Sequence, residues 1–580
     1  MSFVGRFDRS AGSKVALASF IASEGSLLAP SSGRPSLASP VTSALDYNPA
    51  PTQPLRPARA THEPSLSSQP EIDRRTVYGL YCMYAIVGLV YGFVSNYIQI
   101  PICFYVFGPL GAPGRASIQQ CNIATSITQL PWSFKVFYGF VLDRVGFFGT
   151  RRKGWIIFGW TSALMILGCL SFVAQDLAQE GNISAYLFLL MLMCSFYIFA
   201  DVAGDGMTIE LSRLEPPESR GYILTTGQLM RFASTSLTNI IGILAMNGSS
   251  YIDQRSNATV FPFELQFYQV HLLLLACALP LLIAMIVLLK DPPQIHTDEQ
   301  VHDVRQIVGV LWTAAKTRVM LFLIVFAIGN MALASLLNPS ANIIGFIAGP
   351  STLQNSIGTL AGNLLFLVGV FLFRRYFMNR NWRVTFVWTT LLLTTNCGFQ
   401  LLVVYDAWGV GQDGWFFAFG SNILMIIQGI AQVLSSLAVV EIAPVGFEAS
   451  IYELLTTIHN AGITLNSNLQ NLFVPVFQLN GIASQYFNSA DTAVYNERMA
   501  HSTYFTIGVN LVGALIFCWF MPKDKPQCKT WLEDSRFHRG SIGLCSFVLG
   551  GGVLLFSLVV SVLSALPETN CLKIAGGDGC

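Results

Sequence analysis

Charged residues are scarce in this sequence, and that scarcity excludes an ordinary soluble domain. Only 11% of the 580 residues are Asp, Glu, Lys or Arg, and 53% are hydrophobic, whereas a soluble domain carries about 25% charged residues. The formal net charge is +1, and no basic cluster lies on a polar domain that could meet a nucleic acid. We therefore expect a lipid bilayer, and no nucleic acid, as a partner.

Motifs for catalysis and for cofactor binding are also missing. The sequence contains no Gly-x-Ser-x-Gly elbow, no His-Glu-x-x-His motif and no Gly-x-x-x-x-Gly-Lys-Ser/Thr phosphate loop. The 12 cysteines lie mostly within apolar runs and lack the paired spacing of a zinc site. These absences leave a membrane enzyme and an ATP-driven pump without support, and we expect no metal and no cofactor. A disulfide between Cys103 and Cys121 stays an open possibility.

Long apolar runs are the main feature of the sequence. Each run is close to the roughly 20 residues that an α-helix needs to cross the hydrocarbon core of a bilayer. Alternating segments of about ten residues, typical of β-barrels, do not occur. We therefore predict an all-α integral membrane protein. The predicted spans are 77–98, 118–142, 154–175, 184–206, 221–246, 265–290, 318–338, 352–374, 384–405, 414–440, 446–475 and 501–521, with a thirteenth at 541–565.

A polar linker at 291–317 divides the first twelve spans into two groups of six. Two six-helix bundles joined by a cytosolic linker are the architecture of the major facilitator fold, so we predict bundles at 75–290 and 318–521. The Ser-, Ala- and Pro-rich residues 1–74 predict a disordered, cytosolic tail. Residues 522–580 then hold a cytosolic segment, a thirteenth helix and a tail. The basic, Ser-rich start also suits a transit peptide, so an organelle membrane is the alternative to the plasma membrane.

The distribution of basic residues predicts the orientation in the membrane. Cytosolic loops carry an excess of Lys and Arg, and the basic residues here cluster in alternate loops with the N-terminus placed in the cytosol. The glycosylation sequons at Asn182, Asn247 and Asn257 then all fall in external loops. We therefore predict a cytosolic N-terminus and a glycoprotein.

The loop after the second predicted span has the residues of a conformational latch. Gly139 permits two helices to approach closely, and Asp143 can accept charge-assisted hydrogen bonds from an arginine. We predict a gating loop whose contacts hold the protein in one conformational state and are broken in the other. Its remaining members are Arg144, Gly146, Arg151 and Arg152.

Three segments together resemble the folate–biopterin transporter family. They are Pro131-Trp132-x-x-Lys135, Asp201-x-x-x-Asp205 and Glu441-Ile-Ala-Pro444-x-Gly446-x-Glu448. The sequence departs from the family pattern at Val136, where a proline is expected, and at Gly227-Gln228-Leu229, which lacks the usual tryptophan. The resemblance implies a secondary active transporter of the major facilitator superfamily that moves folate or a pterin by alternating access.

Several ionisable residues fall inside predicted spans, where they cost a few kcal/mol and mark a transport pathway or a paired partner. Asp201 and Asp205 are four residues apart and share one helix face. Two adjacent carboxylates favour sharing a proton, so proton coupling is one interpretation. An internal ion pair with Lys135 or Arg231 is the other, and the two are compatible.

A folate has a planar heterocycle and a glutamyl tail with two carboxylates, so the implied substrate requires cations and aromatic rings. Arg231 is the first candidate for the carboxylates, because a guanidinium presents a fixed fork of donors, and Lys135 is the second. Tyr84 and Tyr91, seven residues apart, form either a stacking wall or ordinary packing. Glu453 and Asn460 are predicted to face the cavity from the second bundle.

Other functions remain open on the same fold. A cationic solute such as S-adenosylmethionine would use Asp201, Asp205 and Glu453 rather than Arg231. An amino acid, a sugar or the role of a receptor that does not transport are further alternatives.

Overall fold

The computed structural model describes residues 72–98, 130–216, 218–249, 261–291, 304–443, 447–479 and 492–566, together with isolated positions between these ranges. The predicted tail up to residue 71, most of the first half of the second predicted span, and Asn257 lie outside the described residues. Apart from one isolated bridge between Phe147 and Thr150, the regular structure of the described residues is helical.

The helices follow one another along the chain and are numbered here in that order. They are α1 (Arg74–Tyr97), α2 (Lys135–Arg144), α3 (Lys153–Glu180), α4 (Ile183–Arg213), α5 (Tyr222–Ala245), α6 (Phe267–Leu288), α7 (Val304–Ala315), α8 (Arg318–Gly329), α9 (Ala341–Ala348), α10 (Thr352–Leu372), α11 (Trp382–Val404), α12 (Gly414–Asn422), α13 (Met425–Ile442), α14 (Glu448–Phe473), α15 (Ala493–Phe517), α16 (Lys525–Leu532) and α17 (Gly540–Ala565).

Length and composition make many of these helices capable of crossing a membrane. Within the described residues nine qualify, or up to ten when the bent pair α7 and α8 is counted as one span. The predicted thirteenth helix is among them, as α17. By contrast, α5 and α14 are long enough but are not among the nine. Both carry polar or ionised side chains that face the protein interior, and Arg231 and Glu453 are examples.

The buried hydrophobic residues form two large clusters in the described part of the chain. One consists of residues between 80 and 289 together with Ala449, and the other of residues between 311 and 531 together with Ile209 and Leu224. The two clusters therefore touch along α4, α5 and α14. This boundary is where the ionisable side chains of the spans lie.

The predicted span at 318–338 is not one continuous helix. After α8 the chain leaves the α-helical path before α9 begins, and its backbone groups are satisfied by amide side chains from other helices. Asn466 of α14 accepts a hydrogen bond from the Leu337 amide (3.0 Å), and Asn510 of α15 accepts one from the Leu336 amide (2.8 Å). A break in a spanning helix is stable only where such groups are satisfied within the protein.

The predicted linker contains a helix that the sequence reading missed. α7 meets α8 at an angle of 80° and packs on α17, where Trp312 lies 5.7 Å from Phe547 between ring centroids. Ser546 of α17 donates a hydrogen bond to the Ala315 carbonyl oxygen at 2.9 Å. The thirteenth helix is thus joined to the segment between the two groups of spans.

Close packing of α1 on α5 places Arg231 beside α1. A Cβ at Gly88 would overlap the carbonyl oxygen of Arg231, and a Cβ at Gly92 would come within 3.1 Å of Thr235. Thr235 also donates a hydrogen bond to the Gly88 carbonyl oxygen at 3.1 Å. The small residues Gly88 and Gly92 therefore serve helix packing, because small residues let two helices approach closely.

We expect Gly88→Ala to destabilise the protein by about 1–3 kcal/mol, because the added methyl group forces two packed backbones apart. The midpoint of thermal unfolding in detergent should fall. Gly398→Ala is the matched control, since a Cβ there meets nothing within 4 Å and alanine is the better helix former by about 1 kcal/mol. Equal midpoints for the two variants would contradict the packing argument.

Candidate functional site

A buried lysine surrounded by three carboxylates lies where the two hydrophobic clusters meet. The Lys135 ammonium is 2.8 Å from Asp201, 3.4 Å from Asp205 and 3.3 Å from Glu453. All four side chains are at most 3% exposed. Charges removed from water to this extent require partners close by, and each of the four has one.

Three helices bring this group together. Lys135 is the first residue of α2 and follows a 3₁₀ turn at Leu130–Phe134. Asp201 and Asp205 lie on one face of α4 because four residues make about one turn. Glu453 comes from α14, in the second half of the chain. The i, i+4 spacing and the pairing with Lys135 were predicted. Glu453 was predicted to face the cavity, but its pairing with Lys135 was not, because no local pattern relates α14 to α2.

Arg231 lies beside the same carboxylates. Its guanidinium is 3.4 Å from Asp201 and stands over two aromatic rings, at 5.8 Å from the centroid of Tyr91 and 5.5 Å from that of Trp132. The Arg231 side chain is 12% exposed, whereas Asp201 is fully buried. We use the name charge cluster for the set Lys135, Arg231, Asp201, Asp205 and Glu453.

The two candidate tyrosines have different surroundings. Tyr84 is fully buried, and its hydroxyl donates a hydrogen bond to Asp205 at 2.7 Å and lies 2.9 Å from the Thr208 hydroxyl. Tyr91 is half-buried and packs edge-on against Trp132, with 5.4 Å between ring centroids. Tyr84 therefore holds a carboxylate of the charge cluster, and Tyr91 belongs to its aromatic rim.

Asn460 lies away from the charge cluster. It is half-buried on α14, seven residues beyond Glu453, which is about 10 Å along a helix. The structure therefore does not bring Asn460 to Lys135, the cation that Glu453 contacts.

A second group of charges lies toward the end of α2 that the sequence predicts to be cytosolic. Asp143 accepts hydrogen bonds from Arg152 at 2.6 Å and from the Ser450 hydroxyl at 2.6 Å. Glu448, which begins α14, is 3.3 Å from Arg151 and 2.9 Å from Arg213. Together with Glu210, which contacts Arg151 and Arg152, these residues form what we call the end network.

Arg152 is the central cation of the end network. Its side chain is fully buried. Burial lowers the pKa of the guanidinium, but the carboxylates of Asp143, Glu210 and Glu448 outweigh that effect and hold its pKa above the usual value. Arg152 therefore stays charged. Gly139 permits the close approach, since a Cβ there would come within 3.2 Å of the Ala449 carbonyl oxygen on α14.

The other predicted gating residues do not take part in these contacts. Arg144, the last residue of α2, is exposed, and so is Gly146 in the loop that follows. Their residue types fit the motif, but its spacing alone could not tell which arginine pairs with Asp143.

The loop between α4 and α5 makes a further link between the two halves. Arg220 is 3.1 Å from Glu441 at the end of α13, and the Lys525 ammonium donates to the Arg220 carbonyl oxygen at 2.9 Å.

The same loop between α4 and α5 holds a carboxyl group with a shifted pKa. Burial raises the pKa of the Glu215 carboxyl to about 7, although hydrogen bonds from the backbone amides of Gly221 and Ile223 act in the opposite direction.

The glycosylation candidates differ in accessibility. Asn182 is exposed at the start of α4. Asn247 is 1% exposed, and its side-chain nitrogen donates to the Ile243 carbonyl oxygen at 2.9 Å, so this nitrogen is not presented to an enzyme in the folded state. Asn257 lies outside the described residues.

Cys103 is in a disulfide, whereas Cys121 lies outside the described residues, so their pairing stays a prediction.

Comparison with known proteins shows the family. Residues 110–501 match the model of the BT1 family. A folate-biopterin transporter of Synechocystis sp. (strain ATCC 27184 / PCC 6803 / Kazusa) is 22% identical over 479 residues, which are 81% of this chain and 85% of the relative. Folate transporter 1 of Plasmodium falciparum (isolate 3D7) is 21% identical over 397 residues, or 65% of this chain and 68% of the relative.

Comparison with solved structures shows the fold. The crystal structure of a D-xylose-proton symporter aligns with a TM-score of 0.50 at 12% sequence identity, over 77% of this chain and 98% of that one. The predicted all-α membrane architecture of the major facilitator type, with an additional C-terminal helix, is thereby confirmed.

We expect Lys135→Met to destabilise the protein strongly, because three buried carboxylates lose the cation that they share. Breaking a buried ion pair from one side costs about 3–5 kcal/mol. The yield of monodisperse protein and its unfolding midpoint in detergent should both fall, and adding Asp201→Asn should restore part of the loss. Lys529→Met, on an exposed lysine, is the control. A Lys135→Met protein as stable as this control would show that the ion pairs contribute little.

Proposed function

The chain belongs to the BT1 family and is a multi-pass membrane transporter rather than an enzyme, and on that premise we propose that it carries folate or a pterin across the bilayer. The observation that supports this substrate is a pair of cations, the buried Lys135 and the half-buried Arg231, beside the aromatic rings of Tyr91 and Trp132. Two cations suit the two carboxylates of a glutamyl tail, and flat rings suit a heterocycle.

The carboxylates of the charge cluster support a competition mechanism. Asp201 contacts both cations, at 2.8 Å from Lys135 and 3.4 Å from Arg231. An incoming carboxylate would replace Asp201 or its neighbours as the partner of a cation. The displaced carboxylate is then left buried without a partner, which is unfavourable unless it takes up a proton.

Charge counting supports proton coupling. The charge cluster has three carboxylates against two cations, so one proton makes it neutral. Because a net charge is costly inside a membrane, we assign the coupling proton to the carboxylates that share Lys135, with Asp201 and Asp205 as the central pair. The transporter is then a symporter.

Alternating access would use the contacts that join the two halves. Lys135 and Asp143 of α2 both pair with α14, through Glu453 and Ser450. We propose that residues 75–290 and 318–521 move as two bodies around this seam, and that the structure has the cytosolic end closed. Loss of the Lys135–Glu453 pair on substrate or proton binding would weaken the seam.

A cationic solute is the second candidate, and the excess of carboxylates over cations in the charge cluster is the observation that favours it. S-adenosylmethionine would then lie against Asp201, Asp205 and Glu453, and Arg231 would oppose its binding. For either substrate we propose a plasma-membrane location with a cytosolic N-terminus and Asn182 as the accessible glycosylation site.

Uptake measurements test the substrate and the coupling together. In folate-uptake-deficient cells with surface delivery confirmed, we expect saturable uptake of labelled folate or biopterin that is faster at acidic than at neutral external pH. Arg231→Ala should lower kcat/KM for folate at least about tenfold, since a hydrogen bond to a charged group contributes about 1.5–3 kcal/mol. Asp205→Asn should abolish the acidic stimulation. The controls are Arg375→Ala and Asp176→Asn, both at exposed positions.

Each contrary outcome of this experiment has a distinct meaning. Normal folate uptake by Arg231→Ala would remove Arg231 from the site. Acid-stimulated uptake by Asp205→Asn would remove Asp205 from the coupling. Uptake of S-adenosylmethionine alone would replace the proposed substrate with a cation.

Because α2 and α14 are in contact, a cysteine placed between them should be inaccessible to a reagent from the cytosolic side. Thr457 is fully buried and accepts a hydrogen bond from the Val136 amide at 3.1 Å, between α14 and α2. In inside-out vesicles, Thr457→Cys should resist a membrane-impermeant thiol reagent, and adding Glu448→Gln should raise its labelling several-fold because the end network then loses a carboxylate. The native buried Cys194, followed by mass spectrometry in the same sample, is the control. Unchanged labelling of Thr457→Cys would contradict the gating role.

A further inference from the structure

Trp132 touches both cations of the charge cluster. The Lys135 ammonium lies 4.8 Å from the centroid of its ring, and the Arg231 guanidinium lies 5.5 Å from it. Asp201 likewise contacts both cations. Two like charges that are brought close together in a buried site repel one another. A group that attracts both of them therefore helps to fix their positions.

The indole is held in place independently of the two cations. Its Nε1 donates a hydrogen bond to the Tyr197 hydroxyl at 3.0 Å, and the ring packs edge-on against Tyr91 and Tyr197, with centroids 5.4 and 6.0 Å away. Tyr197 in turn stacks on the fully buried Trp160. The ring is therefore fixed between α1 and α4.

An aromatic face stabilises a cation in a way that a carboxylate does not. The attraction comes from the ring quadrupole and is worth about 0.5–2 kcal/mol according to exposure. It uses none of the N–H donors in the plane of a guanidinium, so these donors remain available to a ligand. A carboxylate in the same place would occupy them and would compete with an anionic substrate.

We propose that Trp132 is a positioning residue that holds Lys135 and Arg231 in place for the carboxylates of an anionic substrate. This inference rests on the proposed function. It assigns to Trp132 a selective effect, since the glutamyl tail of folate needs the two cations and biopterin has no such tail. A residue that only fills space would affect both substrates equally.

The test measures KM for folate and for biopterin in variants of Trp132. Trp132→Leu should raise KM for folate about tenfold, the equivalent of losing about 1.4 kcal/mol of cation–π attraction, and change KM for biopterin less than about twofold. Trp132→Phe, which keeps an aromatic face, should restore most of the folate affinity. Trp519→Leu is the matched control, because Trp519 is 67% exposed and lies directly after α15, whereas Trp132 lies directly before α2.

Graded fluorination of the indole changes the size of the side chain very little. Replacing Trp132 by mono-, di- and trifluorotryptophan through nonsense suppression in oocytes weakens the ring quadrupole stepwise, and KM for folate should rise with each step while KM for biopterin stays constant. A flat fluorination series, or equal changes of KM for both substrates in Trp132→Leu, would overturn the inference and make Trp132 a packing residue. A wild-type protein that takes up neither compound would overturn the proposed function, and this inference with it.

Discussion

The buried ammonium of Lys135 is the interaction on which the interior of this protein depends. It is the common partner of two carboxylates from α4 and one from α14, so removing it would leave like charges facing one another in a medium of low dielectric constant. The same contacts join the first and second halves of the chain. Structural stability and any movement between the halves are therefore linked through one cation.

The end network repeats this arrangement nearer the end of the molecule. Lys135 and Asp143 lie eight residues apart on α2, about 12 Å along a helix, and each pairs with α14. The charge cluster and the end network thus both join α2 to α14. Because an α-helix is stiff over this distance, the two helices cannot separate far at one of these sites without separating at the other. A change in the charge of the charge cluster would thus alter the contacts at the predicted cytosolic end.

Neutral polar groups, rather than charges, satisfy the broken span in the second half of the chain. The break after α8 is satisfied by amides of Asn466 and Asn510, which can exchange hydrogen-bond partners without separating charges. The α17 helix contacts α7 through Trp312 and Ser546 and so supports the segment that connects the two groups of spans.

The sequence by itself determined the class of the protein and the nature of its buried charges. Runs of about 20 apolar residues can be stable only as spanning helices, and ionised residues inside such runs need partners, so Lys135, Arg231, Asp201 and Asp205 could be found from local pattern alone. The family segments were also recognisable, since their spacing is local. The tertiary structure decided what lies far apart in the chain. It paired Glu453 with Lys135, chose Arg152 rather than Arg144 for Asp143, turned Tyr84 toward Asp205 and placed Trp132 between two cations. These contacts depend on how helices cross, and helix crossing is set by side-chain packing along whole faces, which no short stretch of sequence contains.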